Sequence, residues 1–81
     1  MIGADIHKRS HALAAVQLGT GAIAGQREID ATEAGHLAAL RWARELDDER
    51  IWAIEDCRHV SRRLEQALVA AGERVIRVPQ G

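Results

Sequence analysis

Asp5 and Glu55 are the residues of this sequence best placed to do chemistry, because each stands at the end of a short apolar run. Asp5 follows Ile2-Gly3-Ala4, and Glu55 follows Ile51-Trp52-Ala53-Ile54 directly. If the two runs are neighbouring parallel strands, both acids project from one end of one sheet, the usual place for sites in such folds. Carboxylates ~5 Å apart at an effective dielectric of ~20 repel by roughly 3 kcal/mol. Such a pair persists if one group protonates, if Arg neutralises it, or if a divalent cation binds. Carboxylates bridging Mg²⁺ or Mn²⁺ are a working arrangement for phosphodiester chemistry. The plainer reading makes each acid a solvated residue at a strand end, and spacing alone leaves both open.

The residues around the pair read as follows. Lys8 and Arg9 lie in the turn after Asp5, where they either approach a phosphate backbone or are simply solvated. Arg58 and Arg62 share a helix face at i, i+4 spacing, with Arg63 beside them. They could meet nucleic acid or pair with Glu65, Glu55 or Asp56. Asp56 is a substitute ligand in principle, but adjacent residues near a strand end point apart. His7 and His11 would share a face only on a helix, and their segment reads as strand, turn and strand, so zinc ligation is not expected. Cys57 is a small core filler rather than a nucleophile, since no base is placed for it. Trp42 and Trp52 sit on apolar faces and are expected in the core.

The elements that must position these groups follow from the pattern. Residues 1–6 read as a strand, and 11–18 and 22–29 as a hairpin around Gly19-Thr20-Gly21. The run Asp30-Ala31-Thr32-Glu33 supplies an N-cap for a first helix and a capping-box Glu. Over 34–46 the helix carries Leu37, Leu40 and Ala43 in its apolar stripe, widened by Trp42 and Leu46. Residues 51–54 are apolar on both alternating faces, which marks a central strand covered on two sides. Ser61 caps a second helix bearing Leu64, Ala67, Leu68 and Ala71, with Gly72 as its C′ residue. Residues 74–78 form a last strand, stopped by Pro79. The order β-β-β-α-β-α-β, with right-handed crossovers, gives an α/β fold with a mixed five-stranded sheet ordered 3-2-1-4-5. This is the opening of the ribonuclease-H-like topology.

Composition sets outer limits. Eighty-one residues hold one small domain, and a chain this size buries only roughly 60 % of its unfolded surface. The net charge of −1 gives neither a nucleic-acid footprint nor a membrane-surface signal. One cysteine excludes an intrachain disulfide and a multi-cysteine zinc site. No apolar run approaches a signal peptide or a membrane span, so a cytoplasmic chain without membrane contact is expected.

Three runs carry a family resemblance: 2–11 (IGADIHKRSH), 52–59 (WAIEDCRH) and 71–79 (AGERVIRVP). Each resembles the corresponding stretch of the DEDD-type, RuvC-like transposases of bridge-RNA-guided insertion sequences, and they occur in the family's order. The likeness spans nearly the whole chain, so residues 1–81 are expected to be the N-terminal portion of such a domain. It implies DNA transposition by metal-dependent strand cleavage and transfer, with DNA and a structured guide RNA as partners. Asp5 and Glu55 fall on the first two positions of the family's carboxylate set and would be catalytic metal ligands for Mg²⁺ or Mn²⁺. The two closing Asp residues would lie on a helix beyond the last strand, past Gly81, and so would the distal domain with its nucleophilic Ser. The isolated chain is therefore expected to be inactive alone, and to self-associate through its uncovered sheet face or edge.

Two other readings stand beside this one. A non-catalytic remnant or interaction module would keep the fold without the chemistry. An actin- or sugar-kinase-like ATPase also opens with a hairpin after an early Asp, but it needs a Gly-rich turn to approach phosphate. Here Ile6-His7-Lys8 occupies that turn.

Overall fold

The structure is a computed structural model that describes residues 1–17, 19–46, 49–55 and 59–79, with the backbone alone for His59 and Val60. The element order is β1 (Ile2–Ile6), β2 (Ser10–Val16), β3 (Ile23–Asp30), α1 (Glu33–Leu46), β4 (Ile51–Glu55), α2 (His59–Ala70) and β5 (Arg74–Val78). They build an α/β fold with one five-stranded sheet ordered β3-β2-β1-β4-β5, as the sequence predicts. The pairs β1/β2 and β2/β3 are antiparallel, whereas β1/β4 and β4/β5 are parallel.

Strand alternation sorts the side chains onto two very different faces. On one face Ile2, Ala4, Ile6, Leu13, Trp52 and Ile54 are buried, and both helices contribute to the same core through Ala39, Leu40, Trp42, Ala43, Leu64 and Leu68. The opposite face carries Gly3, Asp5, Ala12, Ala53 and Glu55, and near the edge Ile76 and Val78 are exposed. This corrects the expectation that strand 51–54 is covered on two sides. Trp52 and Ile54 are buried, but Ile51 and Ala53 are only partly so.

The first helix starts at Glu33, one residue ahead of the expected 34. The hydroxyl of Thr32 accepts the Gly35 N–H at 3.1 Å, so within the expected run 30–33 it is Thr32 that is the N-cap. Asp30 remains the last residue of β3. Helix and strand approach so closely here that a Cβ at Gly35 would fall 1.9 Å from the Asp30 carbonyl oxygen. That turn fixes the helix rotation, and it buries His36, Ala39, Leu40, Trp42 and Ala43 while leaving Leu37 and Leu46 exposed. The second helix likewise begins before Ser61, which is buried in its first turn instead of capping it.

At the other end of α2 the expected stop is present. Gly72, at φ 83°, donates its N–H to the Val69 carbonyl, and the Glu73 N–H reaches the Leu68 carbonyl, both at 3.0 Å. This paired closure requires the left-handed conformation that glycine adopts without strain. It delivers the Glu73 side chain to Arg50 and Trp52. Arg50 donates from Nε and Nη2 at 2.7 and 2.9 Å, and Trp52 donates from Nε1 at 3.0 Å. Hydrogen bonding from Arg50 is the chief cause that holds the Glu73 carboxyl down at about 2, against the opposing effect of burial. Among the described residues no helix is long and apolar enough to cross a membrane.

Candidate functional site

The parallel register pairs Gly3 with Ala53 and Ala4 with Ile54. One further step along each strand reaches Asp5 and Glu55, so the two residues stand side by side on neighbouring strands, whose backbones run about 4.8 Å apart. Both belong to the uncovered face and both line the same shallow depression of about 830 Å³. Its floor is made of Gly3, Ala12, Ala14 and Ala53. Small side chains on adjoining strands let a bulky group approach the backbone there, while the carboxylates stand at one end. Local sequence explains the arrangement: the apolar residues on alternate positions face the helices, so Gly3, Asp5, Ala53 and Glu55 must face away.

Asp5 is 64 % exposed at its side chain, and the Nε2 atom of His7 lies 3.1 Å from its Oδ2. His7, weighed above only as a zinc ligand beside His11, is thus a neighbour of the site whose link to Asp5 was passed over. The i, i+2 spacing of two exposed polar residues at a strand end carries that signal. Glu28 was passed over as well. It pairs with Ala12, which pairs with Asp5, so Glu28 lines the same depression two strands away. Two strand spacings of about 4.8 Å separate its backbone from that of Asp5. Among the described residues, no three His, Cys, Asp or Glu side chains gather into a group that could hold a metal ion.

The basic candidates are distributed around this end of the sheet. Lys8 and Arg9 are exposed in the turn that leaves β1 just beyond Asp5. Arg62 is exposed on α2, which follows β4 at that same end. Arg58, Asp56 and Cys57 lie outside the described residues. Of the proposed acidic partners for these arginines, Glu65 is instead 2.9 Å from Arg77. His11 does not share a face with Asp5. It lies in the core, 1 % exposed, with its ring parallel to that of His36. Trp42 and Trp52 are core residues as expected.

No protein-family model matches this chain, and no curated protein matches it.

Proposed function

We propose that this chain is the N-terminal part of a ribonuclease-H-like (RuvC-like) transposase domain, acting in metal-assisted cleavage and transfer of DNA strands. The observation that carries the reading is the side-by-side placement of Asp5 and Glu55 on the parallel pair β1 and β4, over an uncovered sheet face. Hard carboxylate oxygens suit Mg²⁺ or Mn²⁺, and two of them leave most of an octahedral shell to other donors. Asp5 and Glu55 would hold the ion, which supplies Lewis acidity and an activated water when bound. Lys8, Arg9 and Arg62 would orient phosphates, a role that positions a nucleic acid without reading its sequence. The small floor of Gly3, Ala12, Ala14 and Ala53 leaves room for a further helix or a nucleic-acid backbone. In this reading the remaining carboxylates of the set come from outside these residues, DNA and a structured guide RNA are the partners, and the chain alone is inactive.

The 3.1 Å contact of Asp5 with His7, together with a described ligand set of only two, favours the second reading, an interaction module that keeps the fold without the chemistry. Titration with Mn²⁺ separates the two. On the first reading the chain binds Mn²⁺ in the millimolar range, and Asp5→Asn and Glu55→Gln each weaken that binding. Binding that survives both substitutions would remove Asp5 and Glu55 as ligands.

The same uncovered face bears on assembly. Ile76 and Val78 are about half exposed, and among the described residues β5 pairs only with β4. An open strand edge beside wet apolar side chains is a template for association. Self-association is therefore expected in sedimentation equilibrium at micromolar concentration. A monodisperse monomer with a sharp thermal transition would contradict it.

A further inference from the structure

Two histidines lie in the core with nothing in the proposed chemistry to use them. His11 on β2 is 1 % exposed and His36 on α1 is 6 % exposed. Their rings are parallel to within 5°, with centroids 6.2 Å apart. Nδ1 of His11 and Nε2 of His36 have no hydrogen-bond partner among the described residues. A neutral imidazole tolerates this, because one ring nitrogen is then only an acceptor. An imidazolium does not, since both nitrogens become donors and a full charge is buried.

The surroundings add to that penalty. Desolvation is the largest cause lowering the proton affinity of both rings. His11 also faces His36 and, more weakly, the turn residue His7, while the Ser10 backbone pulls the other way. His36 faces Arg63 from α2, offset by Glu33 from its own helix. The pair joins the sheet to α1 at the end of the helix where Thr32 and Gly35 set its rotation.

We propose that the His11–His36 pair is an acid-sensitive latch between the sheet and α1, closed only while both imidazoles are neutral. This inference is independent of the transposase reading, because it involves the helix-covered face and not the one bearing Asp5 and Glu55. Protonation of either ring strands a charge beside the other ring, and the helix gives way so that water can reach both. A group whose folded form binds the proton more weakly than its unfolded form loses stability as pH falls below the unfolded value, about 6.5 for His. Each ring then lowers the folding equilibrium constant by up to about tenfold per pH unit.

The test is a histidine titration of the chain by NMR, with resonances assigned by single substitutions, alongside urea denaturation at pH 7.5 and 5.5. His11 and His36 should titrate below a free imidazole. The folding equilibrium constant should fall by up to about a hundredfold between the two pH values. In the double variant His11→Leu/His36→Leu that fall should disappear. Ordinary titration of His11 and His36, or an unchanged pH dependence in a folded double variant, overturns the proposal. If the double variant does not fold, the titration of the unsubstituted chain decides alone.

Discussion

The parallel strands have carboxylates at both of their ends, and the two ends treat them in opposite ways. Glu73, beside the start of β4, is 6 % exposed at its side chain and receives three hydrogen bonds from Arg50 and Trp52. Asp5, near the opposite end of β1, is 64 % exposed and has the ring of His7 beside it. A buried carboxylate must be fully paired or it will not stay ionised. Glu73 meets that demand from inside the fold. Asp5 and Glu55 do not, and open carboxylates on neighbouring strands remain available to a cation from outside. The contrast separates an acid that holds the fold from acids that the fold merely presents.

The strongest way to break that contrast is to remove the pinned acid. Glu73→Ala takes from Arg50 its two charge-assisted bonds and from buried Trp52 the acceptor of its indole N–H. Losing one partner of a buried pair costs roughly 3–5 kcal/mol, and urea denaturation should register a loss of at least about 3 kcal/mol. The same group sets an acid limit on the native state. Its carboxyl is lowered from 4.5 to about 2 in the fold, so the unfolded chain takes up the proton first as pH falls. Stability from this group is whole above about pH 4.5 and drains away toward pH 2, by roughly 3 kcal/mol in all. In Glu73→Gln that segment of the pH profile should flatten. A variant as stable as the parent would mean that Glu73 is no more structural than Asp5.

How far this contrast is legible in the sequence depends on the residue. Alternation fixes the faces of β1 and β4, so the adjacency of Asp5 and Glu55 follows once the strand order is deduced from the hairpin and the crossovers. Gly72 as a helix stop is equally legible, since its positive φ suits few other residues. Glu73 is not, because its partners lie 23 and 21 residues away and no local pattern joins them. Which residue of 30–33 caps α1 is not legible for a related reason. Asp30, Thr32 and Glu33 all suit a helix N-terminus, and the clearance of Gly35 over the Asp30 carbonyl is a tertiary feature that selects Thr32. The uncovered face is foreseen only through the family resemblance, since Ile51 and Ala53 are apolar whether or not anything packs on them.

A smaller effect is expected where the acids are presented and not pinned. Asp5→Asn and Glu55→Gln each remove one acidic charge from neighbouring strands at the same end of the sheet, where Asp5 is exposed and Glu55 partly so. Screening by water reduces such terms to under about 1 kcal/mol. Each substitution should leave stability unchanged or raise it by a few tenths of a kcal/mol, while lowering affinity for Mn²⁺. Stability and cation binding would thus move independently here, whereas Glu73→Ala should change stability and leave any Mn²⁺ binding by the folded fraction untouched. A loss of 2 kcal/mol or more from Glu55→Gln would place Glu55 among the structural acids and remove the distinction.

The smallest effect, and the sharpest on the site itself, concerns His7. Its Nε2 sits 3.1 Å from the Asp5 Oδ2, with both side chains more than half exposed. An exposed pair of this kind is worth about 0–1 kcal/mol, so His7→Ala should shift the urea midpoint barely, if at all. Its consequence for Mn²⁺ is of the same size but of informative sign. If the ring competes with the cation for the Asp5 oxygen, removing it tightens Mn²⁺ binding by less than about fivefold, the equivalent of under 1 kcal/mol. If the neutral ring is itself a ligand, the same change weakens binding. Titrating His7→Ala beside Asp5→Asn therefore distinguishes two geometries. Tightening makes His7 a placeholder on an acid that waits for an ion. Weakening makes the site a three-residue one, with His7 completing what Asp5 and Glu55 begin.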